Sequence, residues 1–140
     1  MCESCKAFAH LDPEPAPTYC VCDVGYATNT HTGSCGLCHG ICDLCEKPND
    51  DFKCYACITN AHFDPSDPSP LSGHCICDDG FYYDSGTKTC AACWATCRTC
   101  VDATITGCNG CWPNASFTGV SSACTCDPSF YANTDAATCA

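Results

Sequence analysis

Basic residues are nearly missing from this sequence. The 140 residues include five, Lys6, Lys47, Lys53, Lys88 and Arg98, against 16 acidic ones, for a formal net charge of −11. A nucleic-acid partner needs cations to meet its phosphates, so this balance argues against nucleic acid. Large apolar side chains are scarce too. Leu, Ile, Val and Phe together number 18, about 13%, below the roughly 20% under which a chain without other support reads as disordered. The 46% hydrophobic content is inflated by 21 Cys and 16 Ala. There is no apolar run of about 18 residues, so no helical membrane span is expected. Any membrane contact would come through parts of a parent protein outside this chain. Met1 leads straight into Cys2-Glu3-Ser4-Cys5, without a basic and then an apolar stretch. If the protein is secreted, its export signal is expected to have been removed or to lie elsewhere.

Cysteine is what the sequence has in excess. Its 21 copies pass the level that marks a disulfide scaffold in a secreted chain. So few large apolar residues cannot build a conventional core, and crosslinks or metals must supply the constraint.

The cysteines repeat. From Cys38 to Cys90 the spacing is C-x3-C-x2-C-x8-C-x2-C-x17-C-x-C-x12-C, and from Cys93 to Cys139 it is C-x3-C-x2-C-x7-C-x2-C-x12-C-x-C-x12-C. From Cys2 to Cys35 the spacing is C-x2-C-x14-C-x-C-x12-C, the same unit without its first three cysteines. The residues between agree. The closing loops CDVGYATNTHTGSC, CDDGFYYDSGTKTC and CDPSFYANTDAATC share Cys-Asp-x-(Gly/Ser)-aromatic. The middle loops align on Ala9-His10-Leu11, Ala61-His62-Phe63 and Ala115-Ser116-Phe117. The organisation is therefore a truncated repeat over 1–35 and full repeats over 36–90 and 91–140.

Regular structure is expected to be sparse. No stretch carries a 3.6-residue apolar period long enough for a stable helix. Asp84-Ser85-Gly86, between Phe81-Tyr82-Tyr83 and Thr87-Lys88-Thr89, reads as the turn of a short β-hairpin. The proline-rich segments 12–17 and 64–70 should be extended surface loops.

The unit C-x3-C-x2-C-x7-C-x2-C-x12-C resembles the furin-like cysteine-rich repeat of growth-factor receptors. The closing C-x-C-x2-G-(Y/F) resembles the second half of an EGF-like module, with Ser129 where that turn prefers Gly. Arrays mixing the two are similar to surface proteins of ciliates and to the CxxC-rich surface proteins of Giardia. The resemblance implies a small disulfide-rich fold, an elongated rod of short β-hairpins and loops in tandem furin-like/EGF-like repeats with little helix, in an extracellular or cell-surface setting. It also implies a pairing: Cys38–Cys45, Cys42–Cys54, Cys57–Cys75 and Cys77–Cys90, then Cys93–Cys100, Cys97–Cys108, Cys111–Cys124 and Cys126–Cys139, with Cys5–Cys20 and Cys22–Cys35 in the truncated repeat. Spacing alone does not select it, since eight cysteines allow on the order of 100 pairings. Cys2 is left over, either unpaired or bonded between molecules. Its usual partner would lie upstream of Met1, so the chain is expected to be a window on a longer array. A bridge closing a loop of about 15 residues contributes on the order of 3 kcal/mol, and about ten such bridges would offset much of the ordering cost of a core-poor chain.

Rival chemistries can be read on the same residues. Seven CxxC pairs suit zinc, but C-x-C pairs and 12-residue loops do not fit knuckles. Cys35-Gly36-Leu37-Cys38-His39 matches the haem-attachment motif, yet Trp94 takes the place of His39 in the next repeat. No histidine lies in a nucleophile motif. The Asp after each C-x-C suits turn hydrogen bonds better than calcium, because the Asp-x-Asp series is absent. No catalytic residue, metal or cofactor is therefore expected. Tyr26, Phe81, Tyr82, Tyr83, Phe130 and Tyr131 mark the same hairpin in each repeat, either packed on the adjacent bridge or free for protein contacts. Asn114-Ala115-Ser116 is a glycosylation sequon. The expected role is a non-enzymatic structural or adhesive segment of a surface coat or secreted filament, associating with copies of itself. The alternative is a receptor or ligand-binding ectodomain that recognises a protein through loops such as 58–74.

Overall fold

A computed structural model of the chain describes residues 5–12, 19–68, 72–119, 121–133 and 138–140. Cys2 and the proline segment 13–17 lie outside the described residues. Among the described residues the strands pair consecutively into eight two-stranded sheets. These are β1–β2 (Ala9–Leu11, Cys20–Cys22), β3–β4 (Tyr26–Asn29, Ser34–Leu37), β5–β6 (Cys42–Cys45, Cys54–Cys57) and β7–β8 (Ala61–Phe63, Cys75–Cys77). Then come β9–β10 (Phe81–Asp84, Thr89–Ala92), β11–β12 (Cys97–Cys100, Cys108–Cys111), β13–β14 (Ala115–Phe117, Cys124–Cys126) and β15–β16 (Ala132–Asn133, Thr138–Cys139). No helix occurs among the described residues. This is the small disulfide-rich fold of short antiparallel hairpins that the resemblance to furin-like and EGF-like repeats implies.

Cysteine spacing is written into the strand geometry. Side chains alternate along a strand, so the two cysteines of C-x-C point to one face. Cys20 and Cys22 thus send their bridges to Cys5 and Cys35 from the same side of β2. The C-x2-C pairs Cys42/Cys45 and Cys97/Cys100 would point to opposite faces of a regular strand. Both sit at shifts of register against β6 and β12, and such bulges re-aim side chains.

The chain forms two compact units, residues 1–76 and 77–140. In the first, β2 touches β3, β3 touches β5 and β6 touches β7; in the second, β9 touches β11, and β12 touches β13 and β14. Among the described residues, ten of the thirteen buried hydrophobic ones are cysteines, joined by Ala27, Ile41 and Ala123. Cys54, Cys75, Cys97 and Cys124 are the fully buried ones. The interior is largely sulfur, which is how a chain with so few large aliphatic residues excludes water.

Candidate functional site

Ten disulfides join described residues: Cys5–Cys20, Cys22–Cys35, Cys38–Cys45, Cys42–Cys54, Cys57–Cys75, Cys77–Cys90, Cys93–Cys100, Cys97–Cys108, Cys111–Cys124 and Cys126–Cys139. Their Cα atoms stand 5.1 to 5.9 Å apart. In each full repeat the first two bridges cross in sequence: Cys38–Cys45 and Cys93–Cys100 tie the entering segment to the end of β5 or β11, and Cys42–Cys54 and Cys97–Cys108 pin β5 to β6 and β11 to β12. The sulfurs that zinc knuckles would use are bonded to one another. Cys35 and Cys38, which a haem would need, are bonded to Cys22 and Cys45. Among the described residues no group of three or more His, Cys, Asp and Glu side chains is arranged to hold a metal.

The Cys-Asp-x-(Gly/Ser)-aromatic stretch is one turn built three times. The N–H of Tyr26, Phe81 and Phe130 donates to the carbonyl of Asp23, Asp78 and Asp127, each at 3.0 Å. The third position has φ of 82° at Gly25, 86° at Gly80 and 84° at Ser129. Positive φ there marks a type II turn and favours glycine. In the third copy Pro128 occupies the second position, where its fixed φ suits this turn. The Asp carboxylates tie the turn to the middle loop. Asp23 bonds His10 Nδ1 at 2.7 Å, and Asp127 accepts from the Ser116 hydroxyl at 2.6 Å. His10 and Ser116, which stand at equivalent places in the middle loops of the first and third copies, are thus partners of these aspartates.

The marked aromatics are not equivalent in exposure. Tyr26 is half-buried and stacks on Phe8, with ring centroids 4.5 Å apart. Phe81, Tyr82 and Tyr83 are half-buried, Tyr83 lying opposite Cys90 in the register. Phe130 is 39% exposed and Tyr131 81%. Asn114 is exposed, has φ of 64°, and its Nδ2 lies 3.5 Å from the Cys139 carbonyl.

Several contributors carry no motif in the sequence. Pro48 packs so closely on Gly36 that a Cβ there would meet it at 2.7 Å. Trp112 reaches to 3.4 Å of where a Cβ on Gly80 would stand. Arg98 pairs with Asp79 at 2.8 Å. Comparing equivalent positions of the repeats would have flagged the first: Gly36 and Pro48 align with Ala91 and Ala103.

Together these features define a cysteine-rich, disulfide-stabilised β-hairpin repeat, loosely related to a furin-like cysteine-rich module. Among curated proteins the chain is similar to proprotein convertase subtilisin/kexin type 6 of Homo sapiens, 29% identical over 82 residues. That match covers 59% of this chain and 8% of the convertase's own length. No family model matches the chain, and no solved structure matches it significantly.

Proposed function

We propose that the chain is a non-enzymatic, extracellular structural segment of a larger surface coat or secreted filament, similar in kind to the ciliate and Giardia arrays, which associates with copies of itself. The observation that carries this reading is the architecture itself. Short two-stranded hairpins are held almost wholly by disulfides, and disulfides persist in oxidising compartments. A two-stranded sheet is nearly all edge, and strand edges not covered within the chain are places where another chain can pair. The exposed Asn114 sequon supports the same route. Electron microscopy of native material tests the role. Filaments or a continuous coat are expected, and isolated particles each carrying a different protein would overturn it. Release of a glycan from Asn114 by a glycosidase would support the secreted route.

One observation favours the receptor reading. Phe52, 59% exposed, stacks on His74 with centroids 4.4 Å apart. This makes an aromatic platform beside the 58–74 loop, the kind of group enriched at protein interfaces. Capture of a protein ligand that is lost in Phe52→Ala would establish that reading instead.

A further inference from the structure

Each full repeat begins by covering the hairpin before it. In the first compact unit the Cys38 N–H donates to the Gly25 carbonyl at 2.9 Å, and the Asn49 N–H donates to the Leu37 carbonyl at 3.0 Å. Pro48 lies over Gly36, the cross-strand partner of Ala27. Ala27 is left 5% exposed. In the second compact unit the same step is made by Cys93, whose N–H donates to the Gly80 carbonyl at 2.8 Å, while the Gly80 N–H donates to the Arg98 carbonyl at 2.6 Å. Tyr82, which stands at the Ala27 position, is half-buried. The third hairpin has the same turn, with φ of 84° at Ser129. Yet Tyr131, at the Ala27 and Tyr82 position, is 81% exposed.

From this we infer that the face of β15–β16 bearing Tyr131 and the Ser129 carbonyl is the acceptor for the crossed-bridge hairpin of a further repeat of the same kind, joined in the same polypeptide. Both covered copies receive that element, and both receive it through the N–H of the cysteine three residues after the hairpin closes. A second copy of this chain is the weaker occupant. Its crossed-bridge hairpins, β5–β6 and β11–β12, are already engaged on β3–β4 and β9–β10, and its segment 1–35 lacks the cysteines to build one. An aromatic ring placed on such a joint contributes apolar area that water would otherwise cover. The inference rests on the joint geometry and not on the spacer role, so its failure would leave the microscopy of the native material to decide that role.

The test is an extended chain in which residues 91–140 are repeated after Cys139. Hydroxyl-radical footprinting read by mass spectrometry should show Tyr131 oxidised severalfold more slowly than in the 140-residue chain. Its copy at the new end should stay as reactive as the original. Tyr131→Ala should leave the Tm of the 140-residue chain unchanged and lower that of the extended chain. Equal reactivity of the two tyrosines overturns the inference. So does an extended chain that fails to form its added bridges while the 140-residue chain forms all of its own. A dimer of the unextended chain that protects Tyr131 would assign the face to a second copy and overturn it likewise.

Discussion

At the residue scale the three copies of the Asp-x-(Gly/Ser)-aromatic turn form a natural mutant series. Two carry glycine at the positive-φ position and the third carries Ser129, with φ of 84°. A side chain in left-handed backbone costs about 1–2 kcal/mol, partly offset by the freedom a glycine loses on folding. Ser129→Gly should therefore raise stability by about 0.5 kcal/mol, read from the guanidinium midpoint under non-reducing conditions. The converse, Gly80→Ala, should lower it by about 1–2 kcal/mol, because φ of 86° there strains any side chain. If neither change moves the midpoint, these turns are not held in their left-handed state by the fold. Aspartates supply a second residue-scale effect. The Ser66 hydroxyl and N–H hold the Asp64 carboxyl below its ordinary value of 3.8. The Gly86 N–H, with Thr87, does so for Asp84, and the Thr104 hydroxyl and N–H for Asp102. A depressed folded pKa contributes stability that is complete above the unfolded value and is lost as pH falls through the folded one. Carboxyl NMR titration should place all three midpoints below 3.8. The thermal midpoint should drop on going from about pH 4 to about pH 2, and drop less when all three are replaced by Asn. Midpoints at or above the ordinary value would remove the account.

At the element scale the joint between β3–β4 and β5–β6 is set by one small residue facing one bulky residue. Gly36→Ala would drive a methyl group into Pro48, and overpacking of this kind costs about 1–3 kcal/mol. Pro48→Ala should recover most of that loss, because the following repeat already carries Ala91 and Ala103 at these places. A double-mutant cycle on denaturation midpoints should give a coupling of about 1 kcal/mol or more; strictly additive effects would show that the two residues do not define the joint. This joint also shows where the sequence stopped being readable. The hairpin of β9–β10 was legible from its Asp-Ser-Gly turn signal after an aromatic run, but its bounds were not: Asp84 ends β9, and Thr87 and Lys88 belong to the turn and not to the returning strand. The absence of long helices was legible from the lack of any 3.6-residue period. Bridge connectivity was not legible from spacing, and came only through the resemblance to furin-like and EGF-like modules. The bulges that re-aim Cys42 and Cys97 were not legible either. They depend on which strands lie opposite, and C-x2-C looks the same in a knuckle, a haem site and a bulged strand. The contrast between half-buried Tyr82 and exposed Tyr131 was hidden for the same reason: nothing in two equivalent loops tells how far each ring is exposed.

At the scale of the whole molecule the balance is between sulfur and charge. Since the buried residues are mostly cysteine, the oxidised chain should keep its β circular dichroism on heating, whereas reduction in native buffer should abolish it and open the chain to protease. Retention of structure with all thiols free would mean that the core holds without its bridges. Charge governs what oxidised copies do to one another. With a net charge of −11 each copy repels the next, and at about 0.01 M salt that repulsion reaches about 30 Å. At about 0.15 M it falls to about 8 Å, close enough for open hairpin edges to meet. The titration adds a second lever, because the charge vanishes near the pI of about 4.4, just above the range where the aspartate turns begin to loosen. Sedimentation of the purified oxidised chain should therefore show monomers at low salt and pH 7. Larger species should grow in as salt is raised or pH lowered towards 4.4, and they should dissolve again on return to low salt. An average mass that stays monomeric across both ranges would mean that the edges do not recruit copies of the chain. The partner would then be a different protein, and the stacked Phe52 and His74 would become the place to look for it.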